Sequence, residues 1–301
     1  MRLRDFGKKA KRALARNSIL FCSWLIARLP FFLIRGFLQF FLSVMFTFTV
    51  RLRRIARESL RIAFGPEMPE QRIEQIIQGC FTTIRQGIIE LMYYSRFPGR
   101  VTRVVTVEGR GHLDAALRQG KGAICVTAHF GNFPLMMLAL SQMGYPVSVI
   151  MRHTRDHKVA AEIRRVMDRV GVQTIYTKPQ RECVTASLKT LRENGVLFVL
   201  LDQHFGADGG VYVDFFGRKA ATAIGPLVFS SRSGAPILPT FVIRQADGQH
   251  KIFVEPEVVL EKRETEEETN FVNISRITNI IEQYIRRYPH EWGWMHRRWK
   301  S

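Results

Sequence analysis

Three polar residues in this 301-residue chain stand where predicted strands end. His129 follows the apolar run Gly122 to Ala128, Arg152 follows Pro146 to Met151, and Asp202 follows Val196 to Leu201. Short apolar runs rich in Val, Ile and Leu are the mark of buried parallel strands. The carboxyl edge of such strands is where open α/β sheets bind ligands. Imidazole moves protons, guanidinium holds a phosphate or an oxyanion, and a carboxylate accepts hydrogen bonds and sets its neighbours' charge. A lone histidine at a strand end is as a rule satisfied inside its loop. Three such groups at three strand ends point instead to one cleft.

The elements that position them follow from periodicity. Asn132 caps an apolar helix from Phe133 to Met143 that stops at Gly144, with Pro134 in the first turn, where its missing N–H does no harm. Beyond it the spacing predicts a helix over Lys158–Val170, a strand over Val172–Tyr176 and a helix over Arg181–Glu193 closed by Asn194-Gly195. Upstream, Ile73, Ile76, Ile77, Cys80, Phe81, Ile84, Ile88 and Leu91 repeat at three and four through an amphipathic helix from Pro69 to Tyr94. Glu90 near its end reads as a surface or capping charge. A strand over Val101–Val107 and a helix over Gly111–Gln119 come next. After Asp202 the pattern predicts a helix over Ile224–Arg232, strands over Pro236–Ile243 and Lys251–Val254, and a last amphipathic helix over Phe271–Tyr288 behind an acidic run from Glu261 to Glu268. Strand–helix alternation of this kind means an α/β fold, a mostly parallel central sheet flanked by helices.

Charge narrows the partners. A formal net charge of +19 calls for a polyanionic partner or an anionic surface. Four scattered cysteines without a CxxC pair suit reduced, structural thiols in a cytosol-facing domain. Residues 1–16 carry Arg2, Arg4, Lys8, Lys9, Lys11, Arg12 and Arg16 against Asp5, and a mostly apolar stretch from Ile19 to Val50 ends in Arg51, Arg53, Arg54 and Arg57. No small-residue cleavage site marks a signal peptide. Three pictures remain: a single tilted span, a pair of half-buried helices broken at Pro30 in one leaflet, or a core hairpin of a soluble protein. The clustered arginines favour a membrane-anchoring segment over residues 1–57, ahead of a domain over 58–301.

Two later stretches bear on a ligand. Gly209 to Thr222 holds glycines and aromatics beside Arg218 and Lys219. It reads either as a loop meeting a ligand with an apolar and an anionic part, or as an ordinary hairpin with a solvated basic turn. The tail from Pro289 to Lys300 sets Trp292, Trp294 and Trp299 among His290, His296, Arg297 and Arg298, a mixture that suits a membrane interface.

Four blocks carry a resemblance that covers nearly the whole chain: His129-Phe130-Gly131-Asn132; Arg152; Asp202-Gln203 with Gly209-Gly210-Val211 and Phe215-Phe216-Gly217-Arg218; and the tail Trp292-x-Trp294-x-His296-Arg297-Arg298-Trp299-Lys300. In order and spacing the chain resembles the bacterial lipid A biosynthesis acyltransferases, the lauroyl and myristoyl transferases of the lysophospholipid acyltransferase superfamily. The resemblance implies transfer of a fatty acyl chain from a carrier-protein or coenzyme A thioester to a hydroxyl of a glycolipid or lysolipid. It implies no cofactor, and a place at the cytoplasmic side of the inner membrane. It implies His129 as general base, Gly131, Asn132, Arg218, Lys219, Arg297 and Arg298 as substrate contacts, and an acidic carrier protein and an anionic membrane surface as partners. Backbone N–H groups at the start of the Phe133 helix, or Arg152, would serve the oxyanion. One position departs. The family places Glu or Asp five residues after the histidine; here it is Pro134. Asp202 is the first candidate to orient His129 in its place.

Two other classes are weighed. Pro134 suggests a non-catalytic lipid-binding relative, which a carboxylate within about 3 Å of the imidazole would argue against. Net charge alone suggests nucleic-acid binding, but no recognition helix or RNP-like motif accompanies it.

Overall fold

The computed structural model describes residues 31–47, 49–152, 157–206 and 209–299. The strands are β1 (Val105–Glu108), β2 (Ala123–Thr127), β3 (Val147–Met151), β4 (Val172–Tyr176), β5 (Val196–Leu200), β6 (Gly210–Phe215), β7 (Arg218–Ala223), β8 (Ile237–Arg244) and β9 (His250–Val254). The helices are α1 (Phe31–Thr47), α2 (Val50–Phe64), α3 (Glu70–Arg96), α4 (Arg110–Arg118), α5 (Phe133–Gln142), α6 (His157–Arg169), α7 (Gln180–Arg192), α8 (Gly225–Ser233) and α9 (Glu266–Arg287).

Seven strands form one sheet in the order β1-β9-β8-β2-β5-β3-β4. From β8 to β4 they run parallel; β9 pairs antiparallel with β8 and carries β1 beside it. The two central strands, Ala-Ile-Cys-Val-Thr and Val-Leu-Phe-Val-Leu, are buried almost throughout. Helices cover both faces. One core gathers Leu60, Ile77, Phe130, Phe241 and Ile281, the other Leu135, Leu138, Val147, Phe198 and Ile252.

The structure departs from the sequence pattern in definite places. Residues Pro98–Arg103 form a 3-10 turn, so β1 starts only at Val105, because Val101 is buried against the α5 core instead of lying in a ladder. Helix α9 starts five residues earlier than its apolar stripe, at Glu266. Thr265 and Glu268 form a capping box, and three glutamates in the first turn suit the helix dipole. On α3, Ile88 is exposed while Ile89 packs with Leu38 and Leu42 of α1, since that end of α3 meets a different neighbour from its start.

The expected boundary at residue 57 falls within helix α2. The helix runs straight through it and buries Ile55, Ala56, Leu60 and Ala63. Of the arginine cluster expected at headgroups, Arg53 and Arg57 pair with Glu74, and Arg57 also reaches Glu70, so these two knit α2 to α3. The basic run over residues 1–16 and the stretch up to Pro30 lie outside the described residues. Among the described residues no helix is long and apolar enough to cross a membrane. Trp292 and Trp294 are fully buried, which overturns their expected place at a membrane interface.

Candidate active site

Strand register builds the site. Ala123 to Thr127 of β2 pair with Val196 to Leu200 of β5, at a constant offset of 73 residues. Carrying that register two residues past the strand ends sets His129 against Asp202. His129 Nδ1 lies 2.9 Å from Asp202 Oδ1. The backbone N–H of His129 donates to Oδ2 at 3.0 Å, and the Trp292 indole N–H donates to the same oxygen at 2.8 Å. One carboxylate oxygen therefore takes two fixed donors and leaves the other for the imidazole.

The charges follow from this geometry. Asp202 is 2 % exposed. Burial alone would push its carboxyl up, but the charge and hydrogen bond of His129, with the Trp292 donor, hold it at about 2. Burial likewise disfavours a charged His129, and the Asp202 charge and hydrogen bond outweigh that, raising the imidazole above its ordinary value. With Nδ1–H on Asp202, Nε2 carries the lone pair. The His129 side chain keeps 37 % of its surface exposed. The Gln203 amide nitrogen is 3.1 Å from Nε2 and 3.3 Å from Nδ1. With Nδ1–H on Asp202, Nε2 is the ring nitrogen left to accept from that amide, so Gln203 must give way for an acceptor hydroxyl to reach the lone pair. Phe133 packs edge-on to the same ring, centroids 5.1 Å apart.

The start of α5 is tightly built. Asn132 Oδ1 accepts from Leu135 N–H at 3.3 Å, and its carbonyl accepts from Met136 N–H. Gly131 donates its N–H to the Glu291 carbonyl at 2.8 Å and sits at φ +57°, where a Cβ would lie 2.2 Å from the Val242 carbonyl oxygen. Pro134 has no N–H. The amide of Phe133 is thus the first-turn donor left for an incoming oxygen.

Other expected site residues sit elsewhere. Arg152 follows β3, and β5 separates β3 from β2. It is exposed and makes no ion pair with a described residue. Asp202 is kept ionised by His129 and Trp292. Gly209 to Thr222 forms an antiparallel hairpin, β6 and β7, turning at Phe216-Gly217. Phe216 takes a positive φ of 53°, held by its N–H on Glu282 and by Arg286 stacked 4.4 Å over its ring. At the tip Lys219 pairs with Asp214 at 3.1 Å, and Arg218 is exposed. Arg297 is exposed as well. Arg298 is not a substrate contact: it is wholly buried, with its guanidinium donating to the Gln203 carbonyl, the Ala221 carbonyl and Thr222 Oγ1. It braces the backbone beside Asp202.

Sequence reasoning missed Trp292 as a donor to Asp202, since 90 residues separate them. It also missed Glu90, which is largely buried and bonds to Asn132 at 3.0 Å. A charge one step off an apolar helical stripe was the only signal for it. Among the described residues no group of three or more His, Cys, Asp or Glu side chains is arranged to hold a metal ion.

Residues 9–301 match the family model described as bacterial lipid A biosynthesis acyltransferase. The lipid A biosynthesis palmitoleoyltransferase of Escherichia coli K12 is 27 % identical over 259 residues, covering 84 % of this chain and 80 % of that protein. The lipid A biosynthesis lauroyltransferase of the same strain is 24 % identical over 282 residues, covering 92 % and 89 %. A phosphatidylinositol mannoside acyltransferase of Mycolicibacterium smegmatis is 22 % identical over 253 residues, covering 78 % and 80 %. Among solved structures, the 1-acyl-sn-glycerophosphate acyltransferase PlsC of Thermotoga maritima aligns with a TM-score of 0.39 at 12 % identity, over 84 % of this chain and 97 % of that one.

Proposed function

Because the chain belongs to the bacterial lipid A biosynthesis acyltransferases and is an acyltransferase enzyme, we propose that it moves a fatty acyl chain from a carrier-protein thioester to a hydroxyl of a glycolipid, with His129 as general base. The observation that carries this reading is the His129–Asp202 pair, which leaves the basic lone pair on Nε2. Nε2 takes the proton of the acceptor hydroxyl as its oxygen attacks the thioester carbonyl. The tetrahedral oxyanion accepts from the Phe133 amide. Collapse breaks the carbon–sulfur bond, and the thiolate leaves with the proton held on His129. Direct transfer needs no acyl-enzyme. Cys80 and Cys125 are buried, and burial pushes their thiols up to about 12, which makes them poor nucleophiles. The net charge of +19 favours an acidic carrier protein over coenzyme A as donor.

Incubation of the purified protein with lauroyl- or palmitoleoyl-carrier protein and a lipid A precursor tests this. Ester formation that vanishes in His129→Ala supports it; no transfer to any hydroxylated lipid refutes it. The pH profile gives a second check. The base must be neutral, and its pKa is raised, so kcat/KM is expected to climb along a limb centred above 6.5. A profile flat from about pH 5 to 8 contradicts a titrating histidine base.

The same reading places the enzyme on an anionic membrane at the cytoplasmic face of the inner membrane. Phe37, Phe40 and Val44 form an exposed apolar stripe on α1, opposite the Leu38 and Leu42 face that packs on α3. Such a stripe suits insertion into a leaflet surface. Phe40 is 71 % exposed. Phe40→Glu is expected to leave the unfolding midpoint unchanged and to weaken sedimentation with phosphatidylglycerol vesicles several-fold. Unchanged vesicle binding removes α1 from the membrane contact.

A further inference from the structure

Behind the cleft, a buried carboxylate that the reaction does not use joins three elements. Glu90 Oε2 on α3 accepts from Asn132 Nδ2 at 3.0 Å and meets Arg244 at 2.5 Å and His250 Nε2 at 3.0 Å. Arg244 and His250 face each other across the antiparallel β8–β9 pair, so the carboxylate is anchored from a rigid hairpin. Burial opposes its charge, but the His250 and Arg244 bonds prevail and hold Glu90 below the usual carboxylate range. The Gly87 carbonyl, one turn earlier, accepts from the same Asn132 NH₂ at 3.4 Å.

A carboxylate only accepts. It therefore demands the NH₂ end of Asn132, and this turns Asn132 Oδ1 toward the Leu135 N–H. The orientation of one amide decides how the first turn of α5 begins.

We propose that Glu90 is a positioning residue for acyl transfer: by fixing the Asn132 amide it fixes the start of α5, and with it the Phe133 amide and ring beside His129. This rests on the reading of Phe133 N–H as an oxyanion donor. The oxyanion exists only along the reaction path, so a displaced donor lowers kcat and leaves KM alone. A displacement of about 1 Å costs up to about 10²-fold.

The test removes the acceptor. Glu90→Leu, which leaves the Asn132 NH₂ without it, is expected to lower kcat about 10-fold with KM changed less than about twofold. Asn132→Asp sets two carboxylates together and is expected to cost at least as much. Glu90→Gln can set its amide oxygen at the Oε2 position, where it still accepts from Asn132, Arg244 and His250. Its kcat is expected within about threefold of wild type. All are assayed with lauroyl-carrier protein and a lipid A precursor, beside thermal unfolding and a His129→Ala control. Wild-type kcat in Glu90→Leu, an equal loss in Glu90→Gln, or a kcat that merely follows stability overturns the proposal. So does failure of all three variants to fold, which would make the contact purely structural. Activity retained in His129→Ala would instead refute the underlying general-base reading.

Discussion

Asp202→Asn is expected to lower kcat by about 10⁴-fold, nearly as much as His129→Ala. The size follows from how the carboxylate is held. Two N–H groups, the His129 backbone amide and the Trp292 indole, point at Oδ2. An asparagine must offer its oxygen to them, which leaves its NH₂ facing His129 Nδ1. The imidazole then accepts at Nδ1 and carries its proton on Nε2, the wrong tautomer for a base. The His129→Ala/Asp202→Asn double variant should be little worse than either single one, because the pair acts as a unit. Pro134→Glu should be neutral or modestly activating, since Asp202 already occupies the Nδ1 side of the ring. Steady-state kinetics with the acyl-carrier substrate decide the matter. Near-wild-type kcat in Asp202→Asn, or single losses that multiply in the double variant, would sink the dyad.

Gly131→Ala is expected to remove at least about 3 kcal/mol of stability, a large share of the about 5–15 kcal/mol that holds a domain folded. Two penalties coincide. The residue sits at φ +57°, which favours glycine, and its Cβ would lie 2.2 Å from the Val242 carbonyl oxygen, part of a central strand. Neither neighbour is a flexible side-chain end that can swing away. Urea denaturation measures the loss directly; a midpoint within about 0.5 kcal/mol of wild type would show that the loop and β8 separate easily. Gly131 thus matters by letting the chain pass close to β8, where the family resemblance implied a substrate contact.

The strand–helix alternation, the cap at Asn132, the buried pair of runs that became β2 and β5, and the placing of polar residues at their carboxyl ends were all legible in the sequence alone. These are local properties: apolar period, capping chemistry and run length act over a few residues. Which strands lie side by side is not local. Only the tertiary structure made β2 and β5 neighbours and so turned two separate strand ends into a hydrogen-bonded His129–Asp202 pair. The tail shows the same limit from the other side. Trp292 and Arg298 have the composition of a membrane interface, yet both are buried, one donating to Asp202 and the other bracing Gln203, across separations of 90 and 95 residues. Glu90 looked like a surface charge because a helical stripe describes one buried face, whereas α3 touches the core, α1 and the start of α5 in turn. Sequence alone determined the elements and the chemistry they carry; tertiary packing decided which groups meet, because long-range pairing depends on the summed fit of whole surfaces and not on any residue's own type.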